Sequence, residues 1–231
     1  MIANKRFASC FAALAASLFG LTSSEVAHAG QVQIGPDFGF IARSAQSNGA
    51  GIAYEPGFVY GVHAQVLAAP WMRFSVYYLR ADQPLTIPTG ALRANTVAPD
   101  DLHVGSYVLG ARLQPTLNLG SRFHLWANAG AGWGTITAPA FELKEGSTTM
   151  RVGSRSGVLV EVPVGLGGSF DIIERWLSVS LDATYAFLLE QSGDMYRDAQ
   201  VVDSEGSMLH VGPMPKLGPA MTATLSLLIE L

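Results

Sequence analysis

Side chains capable of chemistry are few in this sequence and poorly grouped. The 231 residues include 5 His, 1 Cys, 14 Lys or Arg and 18 Asp or Glu. A histidine metal site needs ligands that share one face, at i, i+2 on a strand or i, i+4 on a helix, and His28, His63, His103, His124 and His210 form no such pair. The single Cys10 falls inside an apolar N-terminal run, so neither a disulfide nor a cysteine metal centre is expected of the mature chain. Gly130-Ala-Gly-Trp-Gly134 and Gly165-Leu-Gly-Gly168 are rich in glycine. Both lie in alternating segments, not at the strand-to-helix turn a phosphate loop requires, and glycine there suits close packing or strand curvature. No cofactor and no metal is expected.

The elements that carry these residues follow from composition and period. Only 14% of residues are charged while 49% are hydrophobic, against about 25% charged in an ordinary soluble domain. That balance and a formal net charge of −4 exclude a disordered chain and give no basic footprint for nucleic acid. Lys5 and Arg6, the apolar run Phe7 to Leu21 and the small-residue site Ala27-His28-Ala29 read as a signal peptide over residues 1–29, cleaved before Gly30. Its removal takes away Cys10, Lys5, Arg6 and Glu25.

After Gly30 no apolar run is long enough for a membrane helix. The hydrophobicity alternates instead. Leu177, Val179, Leu181, Ala183, Tyr185, Phe187 and Leu189 share one face, and Ser178, Ser180, Asp182 and Thr184 the other. The same period marks Val32–Ala42 (interrupted by Gly35-Pro36), Phe58–Val66, Met72–Tyr78, Tyr107–Leu113, Phe123–Trp133, Val158–Phe170 and Met221–Leu231. Eight strands result, most near the ~9–11 residues that cross a bilayer at a tilt.

Their connections alternate in length. Ala68-Ala69-Pro70, Pro115–Ser121 and Asp171–Trp176 are short, whereas Arg43–Pro56, Ala81–Asp101, Thr135–Ser156 and Glu190–Gly218 are long. Short turns at one rim and long loops at the other mark outer-membrane barrels, which must close because lipid satisfies no backbone edge. Trp71, Phe123, Phe170 and Trp176 near the turns, with Phe58, Tyr78, Trp133 and Phe187 toward the loops, are placed for two interfacial girdles.

On this pattern, across residues 32–231, the chain resembles the small OmpA/OmpX-type eight-stranded outer-membrane β-barrels. The resemblance implies an all-β, transmembrane, antiparallel up-and-down barrel over residues 30–231, located in the cell outer membrane. Its implied partners are membrane lipid and the outer-membrane assembly machinery.

Period two assigns Asp37, His63, Arg73, Arg112, His124, Glu161, Asp182, Glu190 and Glu230 to the interior. Both signs occur, so a salt-bridged polar network filling the lumen is expected. An eight-stranded barrel has room for little beyond side chains, which argues against a diffusive pore. His124-Leu-Trp-Ala-Asn128 is similar to a strand of the outer-membrane lipid A deacylases, in which Ser stands two residues after the His. Here that position is Trp126, so no nucleophile is carried over and no enzyme activity is expected. The leading expectation is a structural anchor whose long loops face outward and meet a partner. A lipid-modifying hydrolase and a narrow solute channel are the alternatives.

Overall fold

The computed structural model describes residues 31–46 and 51–231. The expected signal peptide lies outside the described residues. Thirteen strands are described: β1 (Val32–Ala45), β2 (Ala53–Tyr54), β3 (Gly57–Ala69), β4 (Met72–Thr86), β5 (His103–Leu119), β6 (Phe123–Ala138), β7 (Phe141–Glu145), β8 (Thr148–Val152), β9 (Arg155–Ile173), β10 (Leu177–Gly193), β11 (Ala199–Val202), β12 (Met208–Val211) and β13 (Leu217–Glu230).

Eight of these close into a ring in the order β1-β3-β4-β5-β6-β9-β10-β13, with every pair antiparallel and β13 returning to β1. Closure leaves no edge in lipid. Alternation dictates which residues face out. Phe40, Leu113, Leu117, Leu166, Leu181, Leu189, Met221 and Leu225 are all more than half exposed, while Asp37, Arg73, Glu161, Ser180, Asp182 and Ser226 are buried inside. The exterior is therefore apolar and the interior polar, the reverse of a water-soluble barrel. Aromatic side chains pair along the loop-side rim, with ring centroids 6.0 Å apart for Phe40 and Phe58, 6.2 Å for Tyr78 and Tyr107, and 6.4 Å for Tyr107 and Trp133. Trp71 and Trp176 stand exposed at the turn-side rim.

The strands are longer than their alternation suggests, from 13 to 19 residues, so they continue past the bilayer on the loop side. The long connections correct the loop expectation. Thr135–Ser156 holds the end of β6, the hairpin β7–β8 and the start of β9, and Glu190–Gly218 holds the end of β10, a 3-10 turn at Asp194–Tyr196 and the hairpin β11–β12. Ala81–Asp101 holds the end of β4, and Arg43–Pro56 holds the end of β1 and the short β2, which pairs with β4.

Prolines inside the wall interrupt the ladders without ending the strands. Pairing of β1 with β13 skips Gly35 and Pro36, that of β5 with β6 skips Gln114 and Pro115, and that of β6 with β9 skips the rung at Pro163. Proline has no N–H to give a neighbouring strand. Gly35-Pro36 thus marks a gap in one ladder, and β1 runs on through it to Ala45.

Candidate functional site

Two regions could carry function: the polar lumen within the membrane and the cap that closes its loop-side mouth. In the middle of the lumen the His63 Nδ1–H donates to Asp37 Oδ1 at 2.7 Å, and the Ser226 hydroxyl donates to the same oxygen. Across the barrel Asp182 Oδ1 accepts from Trp126 Nε1 at 2.8 Å and from Asn128 Nδ2 at 3.4 Å. The Arg112 guanidinium lies 4.1 Å from the Tyr77 ring centroid. That ring occupies the space a Cβ would need at Gly110 and Gly132. A cavity of about 10 Å³ remains among Asp37, His63, Ser75, Arg112 and Asp182, too little for more than about one water.

Above this layer Arg43 Nη2 stands 3.7 Å from Glu161 Oε2, with both side chains almost wholly buried. Below it Arg73 lies 5.3 Å from the Trp126 ring. His124 points Nδ1 at Asn118 Oδ1 (2.7 Å) and Nε2 at Asp171 Oδ2 (3.4 Å), and Gln33 donates to Glu230 at 3.4 Å near the turn-side rim.

The nine expected interior residues are thus spread over several layers. Eight face the lumen. The exception is Glu190: the β9–β10 register shifts between Leu188 and Glu190, so Leu188 pairs with Glu161 inside and Glu190 turns outward, exposed. Such a bulge reverses every position beyond it. The loop expectation also misplaces Arg43, although continuing the odd-numbered interior face of β1 through Asp37 and Ile41 leads to it. Trp126, Asn128 and Tyr77 complete the network. All three fall on interior faces already evident from alternation, but as non-ionisable or weakly ionising groups they do not stand out.

Among the described residues the lumen does not assemble a hydrolytic triad. Asp37 stands between Ser226 and His63, whereas a base must contact the nucleophile itself. Ser169 is level with His124 in the β6–β9 register, and the two ring nitrogens of His124 are directed at other partners.

The cap is built differently. Leu85, Val104, Ile136, Leu159 and Leu217, from the loop-side ends of barrel strands, pack inward with Leu143, Met150 and Val152 of β7–β8, Met195 of the 3-10 turn, and Val211 and Met214. Backbone bonds tie the connections together: Val97 and Lys144 exchange two at 2.9 and 3.0 Å, Gly212 N donates to Leu92 O at 2.9 Å, and Ser204 N to Thr149 O at 3.1 Å. Buried Arg155 donates through Nη1 to Gly212 O at 3.1 Å, and Gln191 is bonded to both backbone groups of Leu217 at 2.6 and 2.7 Å. Burial pushes the Tyr196 phenol up to about 12, and that of Tyr54 upward as well, where the neighbouring Tyr196 adds to the effect. Both phenols therefore stay neutral at physiological pH.

No known family profile matches the chain, and no curated protein matches it. Solved structures do. Neisserial surface protein A is similar at 12% identity over 86% of this chain and 96% of its own, with a TM-score of 0.51. A major outer membrane protein from Thermus thermophilus is 9% identical over 88% and 100%, with a TM-score of 0.53. The outer membrane protein OprG from Pseudomonas aeruginosa is 12% identical over 88% and 96%, with a TM-score of 0.52. The chain has the fold of the small OmpA/OmpX-type outer-membrane barrels, and its apolar exterior around a polar interior belongs in the outer membrane.

Proposed function

We propose that the barrel is a non-enzymatic anchor and that the cap is its working surface, held outside the cell to meet a partner or ligand. One observation carries this reading: the loop-side mouth is filled by an apolar core whose members Met150, Val152, Leu159, Met195 and Leu217 have no measurable exposure. A solute would have to dismantle that core and then pass a lumen whose described cavity is about the size of one water. The separation of Ser226 from His63 by Asp37 supports a structural role for the interior polar groups.

The test is single-channel recording in planar bilayers with the full-length protein. No conductance above background is expected, and steady conductance from the native protein overturns the anchor reading in favour of a channel. His63→Ala and His124→Ala address the hydrolase alternative. Lipid A acylation should be the same with wild type and variants, and a change lost in a variant that still folds would assign an enzyme.

A further inference from the structure

We infer that the turn-side mouth of the barrel is a pH-sensitive clasp, held by a His124 imidazolium that bridges β5 and β9 and released when the ring gives up its second proton. The hydrogen bonds around this ring have only one consistent direction. His124 Nδ1 lies 2.7 Å from Asn118 Oδ1, and Nε2 lies 3.4 Å from Asp171 Oδ2. Asn118 Nδ2 donates to Pro70 O at 3.0 Å, and turning the amide over would set two oxygens against each other there. Asn118 Oδ1 is therefore an acceptor, and His124 Nδ1 carries a hydrogen. The carboxylate of Asp171 only accepts, so Nε2 needs a hydrogen as well. A neutral imidazole has one N–H and can serve only one of these partners. His63 differs, because its contact with Asp37 uses Nδ1, which the neutral ring satisfies.

The ring is placed to act on the mouth. His124 is the second residue of β6, and its side chain and that of Asp171 are each 15% exposed, so water on the turn side reaches both. The bridge joins separate elements. Asn118, near the end of β5, is tied to the β3–β4 turn through Pro70, and the Asp171 N–H, near the end of β9, donates to Arg122 O at 2.9 Å. The other groups around the ring do not replace the proton. Ser169 is level with His124 on β9, and Ser178 is level with Asp171 on β10. Arg73 on β4 shares the field of Asp171 and of Glu230 on β13, and Glu230 accepts from Gln33. On the turns outside, Arg122 and Glu174 bond each other beside Arg175. Once Nε2 is bare, its lone pair faces the Asp171 carboxylate. The link from β6 to β9 opens while the link to Asn118 persists.

Nitrogen NMR of the histidine rings in the detergent-solubilised native protein reads the protons directly at pH 5 and pH 9, on either side of the ~6.5 of an ordinary histidine. Both nitrogens of His124 should be protonated at pH 5. At pH 9 the hydrogen should remain on Nδ1, held by Asn118, and be lost from Nε2. A hydrogen on Nε2 with Nδ1 bare, or a ring that keeps the same protons at both pH values, overturns the proposal. Exchange of the Asp171 amide, corrected for the intrinsic rise of exchange with pH, should be roughly tenfold faster at pH 9. The acceleration should vanish in His124→Gln and survive in His63→Gln, with folding of each variant checked by heat-dependent gel mobility. Acceleration that survives in His124→Gln, or none in the native protein, overturns the clasp. Should His124→Gln not fold, Asp171→Asn takes its place with the same expectation, since its side-chain amide can donate to a bare Nε2.

Discussion

Two residues apart on β9, Leu159 and Glu161 both point into the barrel, yet they belong to different worlds. Glu161 faces Arg43 at the top of a polar lumen, and Leu159 is fully buried in the apolar cap. The exterior changes over the same span. Below, it is Val160, Val162, Val164 and Leu166. Above, it is Ser156 together with Asp82, His103 and Thr137 on other strands. Strand β9 runs unbroken through this span while its ladder with β10 shifts by one residue beside it, and the medium around the wall changes. Where lipid surrounds the ring the apolar face turns outward, and where water surrounds it the apolar face turns in.

That contrast can be broken most forcefully at the junction. Glu161→Ala leaves the Arg43 guanidinium buried without its carboxylate, a change that costs about 3–5 kcal/mol. The midpoint of urea unfolding in detergent should fall accordingly, and adding Arg43→Ala should recover part of the loss. Leu159→Ala should cost about 2–5 kcal/mol by opening a cavity in the cap. Its signature is faster proteolysis within residues 141–152 and 199–211 while the heat-modifiable barrel survives. Leu181→Lys tests the opposite face: placed on the lipid side it should cost about 2–4 kcal/mol in vesicles.

A smaller effect sharpens the comparison. Because burial raises the Tyr196 phenol to about 12, above the ~10 of an unfolded tyrosine, its contribution is complete below pH 10 and is lost as pH rises toward 12. Alkali should therefore loosen the cap before the membrane part, seen as accelerated amide exchange confined to the loop side.

The same inversion explains what could be read in the sequence. Where only one face is apolar, as in Leu177–Phe187, period two is plain and eight strands emerge. At Val158-Leu159-Val160 both faces are apolar for a stretch, and on β6 beyond Trp133 the apolar residues, Ile136 and Ala138, occupy the other parity, so the pattern stops while the strand continues. Arg43 escaped for that reason. Glu190 escaped for another, since a single bulged residue leaves no trace in a period count. The cap core was illegible because Met150, Met195 and Met214 meet through pairings between connections far apart in the chain, which no local period records.

The seam of the ring has a bearing on time. Gln33 pairs with Glu230, so closing β1 against β13 joins positions from opposite ends of the chain. The entropy of closing a loop grows only slowly with its length, but rates fall with the separation of the contacts that must form. Pro36 removes rungs from that same seam, so the last contact to be found is also among the least densely bonded. The slow step of assembly should accordingly be the meeting of the first and last strands, and Pro36→Val is the substitution that would shorten the wait.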